Sequence, residues 1–124
     1  MIHIIGAYLS EEGHGTVGQD IFFGMMPDKP DECFSLFEYA GSPPDLHWNG
    51  EYPGLQIRTR SKTYQAGKNK AKEISKTLHG LNEITLEGVR FLLFKAKGSP
   101  EVLKRDESGR TEWIVNFDII KESE

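Results

Sequence analysis

Apolar and polar residues alternate with a period of two along most of the chain and switch once to a helical period. In Leu55–Arg60, Leu55, Ile57 and Thr59 share one face and Gln56, Arg58 and Arg60 the other, the pattern of a half-buried strand. From Ser61 the spacing changes: Tyr64, Gly67, Ala71, Ile74 and Leu78 form one stripe of an amphipathic helix. Ser61 or Thr63 can cap its start and Gly80 its end, giving a helix over about 64–79 that is about 24 Å long. Asp20–Met26 reads as a short strand stopped by Pro27–Asp31. Glu32–Ala40 reads as a second, with Phe34 and Leu36 opposed to Cys33, Phe37 and Tyr39. Gly41–Gly54 has loop composition. A hairpin follows around Glu87-Gly88, then a pair of strands turning at Asp106–Arg110, in the last of which Trp113, Val115, Phe117 and Ile119 alternate with polar or outward positions. The apolar opening, Ile2–Leu9, fits a short helix or an irregular start. The pattern predicts an α+β fold: a mostly antiparallel or mixed β-sheet with one main helix across it. It forms a single domain over 1–124, with 1–14 and 121–124 as candidate mobile ends.

Composition narrows this picture in two ways. With 37% hydrophobic and 27% charged residues, the chain can bury a core and is not a disordered tail. No apolar run reaches 18 residues and the opening lacks a basic segment before a long apolar one, so neither a membrane span nor a signal peptide is expected. A single cysteine, Cys33, excludes an internal disulfide and suits a reducing compartment. The expectation is a soluble intracellular product.

Little catalytic chemistry can be read from the residues. Gly13–Gly18 matches G-x-G-x-x-G, but a strand candidate follows it, whereas a dinucleotide site needs the strand before and a helix after. His3, His14, His47 and His79 have no ligand spacing, and His79 reads as a last-turn residue favoured by the helix dipole. Asp28, Asp31 and Glu32 lack the glycine and oxygen spacing of a calcium loop. Cys33 has no basic neighbour and reads as an apolar filler. No catalytic, cofactor-binding or metal-ligating residue is predicted, and no enzyme.

Charge supplies the one functional signal. Residues 1–53 carry one basic residue against nine acidic ones, while 54–124 carry fourteen against ten. The 58–76 stretch, with Arg58, Arg60, Lys62, Lys68 and Lys72, could grip a nucleic-acid backbone, with Tyr64 as a stacker. The sequence pI of about 5.6 argues against a dedicated DNA-binding domain. The alternative is assembly: an acidic flank (Asp28, Asp31, Glu32, Asp45, Glu51) on one copy meeting the basic flank of the next, head to tail. Trp48 and Tyr52, among prolines, either anchor an interface or fold back on their own sheet; the sequence leaves both open.

Three segments carry a family resemblance: "GTVGQDIFFGMMPDKPDECFSLFEYAG", "YPGLQIRTRSKTYQAGKNKAKEISKTLHGL" and "GVRFLLFKAKGSPEVLKRDESGRTEWIVNFDII". In their order and spacing, from about Gly15 to Ile120, the chain resembles the bacteriophage minor capsid protein family related to the tail terminators, or tail-completion proteins, of long-tailed phages. The resemblance implies a structural virion protein made in the host bacterial cytoplasm: a subunit of a ring, six-fold in that family, at the head-proximal end of the tail tube. Its implied partners are further copies of itself, the tail tube protein and the head–tail connector proteins. DNA would only pass through the lumen, without sequence-specific contact, and no membrane is involved. Head closure is the alternative virion role. The interface candidates are Arg58, Arg60, Lys62, Tyr64, Lys68, Lys72, Asp28, Asp31, Glu32, Trp48 and Tyr52.

Overall fold

The computed structural model describes residues 1–124 and has two helices over one seven-stranded sheet. The elements are α1 (Ile2–Glu11), β1 (Ile21–Phe23), β2 (Cys33–Ser42), β3 (Gly50–Ser61), α2 (Tyr64–Leu78), β4 (Asn82–Leu86), β5 (Val89–Ala96), β6 (Glu101–Arg105) and β7 (Thr111–Glu122). The sheet runs β1-β2-β3-β7-β5-β4, with β6 also on β7. Only the β1–β2 pair is parallel, so of the two sheet types the sequence allows, the mixed one is found.

The organising strand is β7. Its buried Trp113, Val115, Phe117 and Ile119 alternate toward the helices, as the pattern predicts. Along one edge it pairs with β3, Thr59 opposite Trp113. Along the other it is shared by β5 at its C-terminal half and β6 at its N-terminal half. The β4–β5 hairpin closes through Glu87 and Gly88, with φ of 48° and 79°, the left-handed pair that a two-residue primed turn requires.

Both helices cover the same face. Helix α2 is capped by Thr63, whose side chain accepts the Ala66 N–H at 3.3 Å, and it buries Gly67, Ala71, Ile74 and Leu78. Gly67 lets the helix lie directly on Trp113: a Cβ there would sit 2.9 Å from Trp113 Cδ1. At the far end His79 Nδ1 accepts the Ala96 N–H at 2.9 Å. His79 therefore ties the helix to β5 as an acceptor, instead of serving only the dipole. The opening residues, left open by the sequence, form α1. Its Ile2, Ile5 and Leu9, at i, i+3 and i+7, are buried in the common core. Helix α1 touches β1 and β2 near one sheet edge and β4 at the other, so the sheet is curled around it.

Candidate assembly surface

The segment Gly24–Asp31 folds back over the sheet face opposite the helices, and two arginines hold it there. Arg60, only 3% exposed, donates through Nε to the Asp31 carbonyl at 3.2 Å and through Nη2 to the Pro30 and Asp28 carbonyls at 2.6 and 3.3 Å. Arg110, 7% exposed, donates through Nη1 to the Asp28 carbonyl and to the Asp31 carboxylate at 3.2 Å. Its Nη2 reaches the Asp28 carboxylate at 3.1 Å and its Nε the Asp106 carboxylate at 2.7 Å. Glu32 accepts from the Ser61 hydroxyl and the Lys62 N–H, and Lys62 Nζ lies 3.3 Å from Asp31. Underneath, the Ser35 hydroxyl donates to the Met25 carbonyl and Cys33 Sγ lies 3.6 Å from Met26 Sδ.

The acidic and basic flanks, which the sequence separates into different regions, thus meet inside one chain. The register explains why. Cys33 pairs with Arg60, so the residues just before β2 lie beside those just after β3. Charge follows the geometry. Burial pushes the Asp31 carboxyl up, but Lys62 and Arg110 together hold it below its ordinary value of 3.8. Burial likewise raises Asp106, and it too ends below 3.8, because the Arg110 backbone N–H and guanidinium and the Ser108 N–H all favour its charged form.

The remaining candidates lie apart from this clasp. The Arg58 guanidinium stacks 4.4 Å over the Phe37 ring and donates to Gln56 Oε1 at 2.7 Å, and Gln56 in turn donates to Asn116 Oδ1 at 3.2 Å. This polar row crosses the outer sheet face, which no helix covers. On α2, Tyr64 is 51% exposed and meets Trp113 edge-on at 4.7 Å, with Lys68 half-buried and Lys72 exposed. Trp48 folds back: its indole lies over Gly50, and its N–H donates to the Tyr52 hydroxyl at 3.3 Å, which donates to Asp45 at 3.0 Å. The His47 N–H, then the Tyr52 hydroxyl, hold the Asp45 carboxyl below its ordinary value. Trp48 keeps 39% of its surface exposed, so it braces its own loop and still faces outward.

Three charged residues that the sequence did not single out are buried. Arg110 follows the turn at Asp106–Gly109, where Asp106 accepts the Ser108 and Arg110 N–H groups at 3.0 and 2.9 Å; an acid opening a turn is the one local signal for it. Glu112 is 4% exposed, with Lys104 Nζ 3.7 Å from its carboxylate. Lys121, on the core side of β7, pairs with Glu51 at 2.8 Å and Glu124 at 3.5 Å; the terminal amine reaches Glu124 at 3.1 Å. Gly13–Gly18 joins α1 to β1, helix before strand, opposite to the order a dinucleotide loop needs. Burial raises the Cys33 thiol above its ordinary value, which favours the protonated form over the thiolate.

The sequence profile of a family described as bacteriophage tail terminator protein matches residues 8–123, which take in the whole curled sheet, α2 and the last turn of α1. The chain belongs to this family. Tail terminator membership makes it a structural protein of the phage tail, and so a component of the virion. The α+β fold agrees: a chain in the solved structure titled "Virion of native gene transfer agent (GTA) particle" is similar, with a TM-score of 0.72 at 15% identity. That match covers 97% of this chain and 94% of the other, and at such low identity it speaks for the fold alone. No curated protein matches the chain. No helix is long and apolar enough to cross a membrane. Because the profile begins at residue 8, most of α1 lies outside it, although Ile2 and Ile5 are core residues.

Proposed function

We propose that this tail terminator closes into a ring of its own copies, six by the family resemblance, that caps the tail tube and joins it to the DNA-filled head. The observation that carries the reading is the profile match over residues 8–123. The role is mechanical, with no reaction to catalyse. The partners are the tail tube protein on one side of the ring and the head–tail connector on the other, and DNA passes through without sequence readout.

Within this reading the candidate contact residues fall into two groups. Asp28, Asp31, Glu32, Arg60 and Lys62 shape the clasped loop within each copy, so their charges are already engaged inside the chain. Arg58, Tyr64, Lys68, Lys72, Trp48 and Tyr52 remain outward-facing candidates. A groove beside the C-terminal half of α2 is lined by Lys72, Lys76 and His79 with no carboxylate among its lining residues. Facing the lumen, it would meet phosphate backbone without reading bases. The test is tail morphology in particles lacking the protein. Tails of uncontrolled length that fail to join heads are expected, and normal tails filling with DNA would contradict the reading.

A further inference from the structure

Two open stretches of the sheet's edges, on β2 and on β6, complement each other. On the β1 side, β2 is covered only from Phe34 to Leu36, the residues opposite Ile21–Phe23. The Phe34 N–H goes to the Asp20 carbonyl and the Leu36 carbonyl accepts from Gly24, so even-numbered residues of β2 aim their backbone away from β3. By the two-residue alternation Glu38 does the same, and no hydrogen bond outside the strand ladders takes up its groups. At the other side β6 lies on β7 with its outer edge open. All five of its residues are exposed, Val102 and Leu103 at 44% and 40%.

Direction and charge both fit a contact between these edges. Since β2–β3, β3–β7 and β7–β6 are all antiparallel, β6 runs opposite to β2. Rotation about an axis near the strand direction keeps each strand's sense, so β6 of one copy meets β2 of the next antiparallel. Strand β6 sits at the Thr111 end of β7, whereas the free half of β2 lies level with Asp118, through Tyr39 and Gly54. This offset along the strands is the stagger that a tilted, closed sheet needs. Arg105 pairs with Thr111 and Glu38 with Leu55, which places both on the helix-bearing face. Neither Arg105 nor Glu38 takes part in an ion pair within the chain. Setting Arg105 opposite Glu38 also brings Lys104 beside Tyr39 on the outer face.

We propose that β6 of one copy pairs antiparallel with the Phe37–Ser42 half of β2 of the next, joining the copies into one continuous sheet. The occupant of each free edge is a second copy of this chain, and the inference rests on the ring reading above. The test uses the full-length chain with Glu38→Arg, Arg105→Glu and the double exchange, followed by native mass spectrometry. Each single reversal should raise the concentration for half-assembly by about threefold to tenfold, and the double exchange should restore it. In parallel, Ala40→Cys with Leu103→Cys should yield a ladder of covalent multimers on oxidation. If the chain is monomeric in solution, the same variants are scored on purified tail ends. A closed oligomer with no rescue and no ladder overturns the edge pairing and leaves the ring. Absence of any oligomer, in solution and on tails, overturns both.

Discussion

Arg110 Nη2 lies 3.1 Å from the Asp28 carboxylate, across a separation of 82 residues. With Arg60, it fastens the Gly24–Asp31 segment to the outer face of the sheet. The charges that suggested a contact between copies therefore first build the surface of a single copy. Several consequences can be measured.

Removing the Arg60 side chain should destabilise the protein, because the Asp28, Pro30 and Asp31 carbonyls lose their donor beside a buried site. Arg60→Ala is expected to cost about 1–3 kcal/mol in urea unfolding and to speed amide exchange in 25–31 selectively. Arg60→Lys should recover little of this, since an ammonium lacks the planar fork that serves three carbonyls. Unchanged stability together with unchanged exchange would contradict the clasp.

Arg58→Glu should behave differently from Arg60→Glu. Arg58 stacks on Phe37 at the surface, so its reversal leaves the fold nearly as stable, within about 1 kcal/mol, and weakens assembly. Arg60→Glu puts a carboxylate against three carbonyls and should unfold the loop before assembly can be scored. Thermal unfolding and oligomer mass, read side by side, separate the two. Equal stability of the two variants would refute the assignment.

Gly67→Ala tests the seat of α2. Helix propensity alone favours alanine by about 1 kcal/mol. The added Cβ would lie 2.9 Å from Trp113 Cδ1 and 3.2 Å from Ser61 Cβ, between a buried ring and the end of β3. Overpacking of this kind costs about 1–3 kcal/mol, so net destabilisation with altered Trp fluorescence is expected.

The clasp should loosen in acid. Asp31 and Asp106 are held below their ordinary value of 3.8 in the folded chain, so the unfolded chain binds protons more readily. Their contribution is complete above pH 3.8 and is lost as pH falls through the lower folded values. His14 adds a higher window. Burial, then Lys70, lowers its value from 6.5, so stability also slips as pH falls below 6.5. Melting temperatures should decline first below pH 6.5 and more steeply below pH 3.8. His14→Gln should remove the upper step and Arg110→Ala should blunt the lower one.

Strands and helix were legible because their signals are local. The alternation of Trp113, Val115, Phe117 and Ile119 and the stripe Gly67, Ala71, Ile74 and Leu78 each face one core, and neither depends on a distant partner. The clasp was not legible, since nothing near Arg110 indicates that Asp28 will lie beside it. Arg60 appeared on the polar side of its strand, which is correct, yet that side is roofed by a loop whose own sequence reads only as the stop to a short strand. Lys121 shows the converse: its alternation puts it on the core side, where Glu51 and Glu124 neutralise it. Tyr64 opened the predicted stripe but sits at the helix's first residue, where its ring meets Trp113 in a T-shaped pair and stays half exposed.

The central claim is that this tail terminator works as a closed ring of its own copies. Native mass spectrometry of the full chain across a concentration series, alone and after addition of purified tails, tests it most directly. A single closed oligomer, six copies by the family resemblance, or its recruitment to tail ends is the predicted result. A chain that stays monomeric at every concentration and does not bind tails would contradict it.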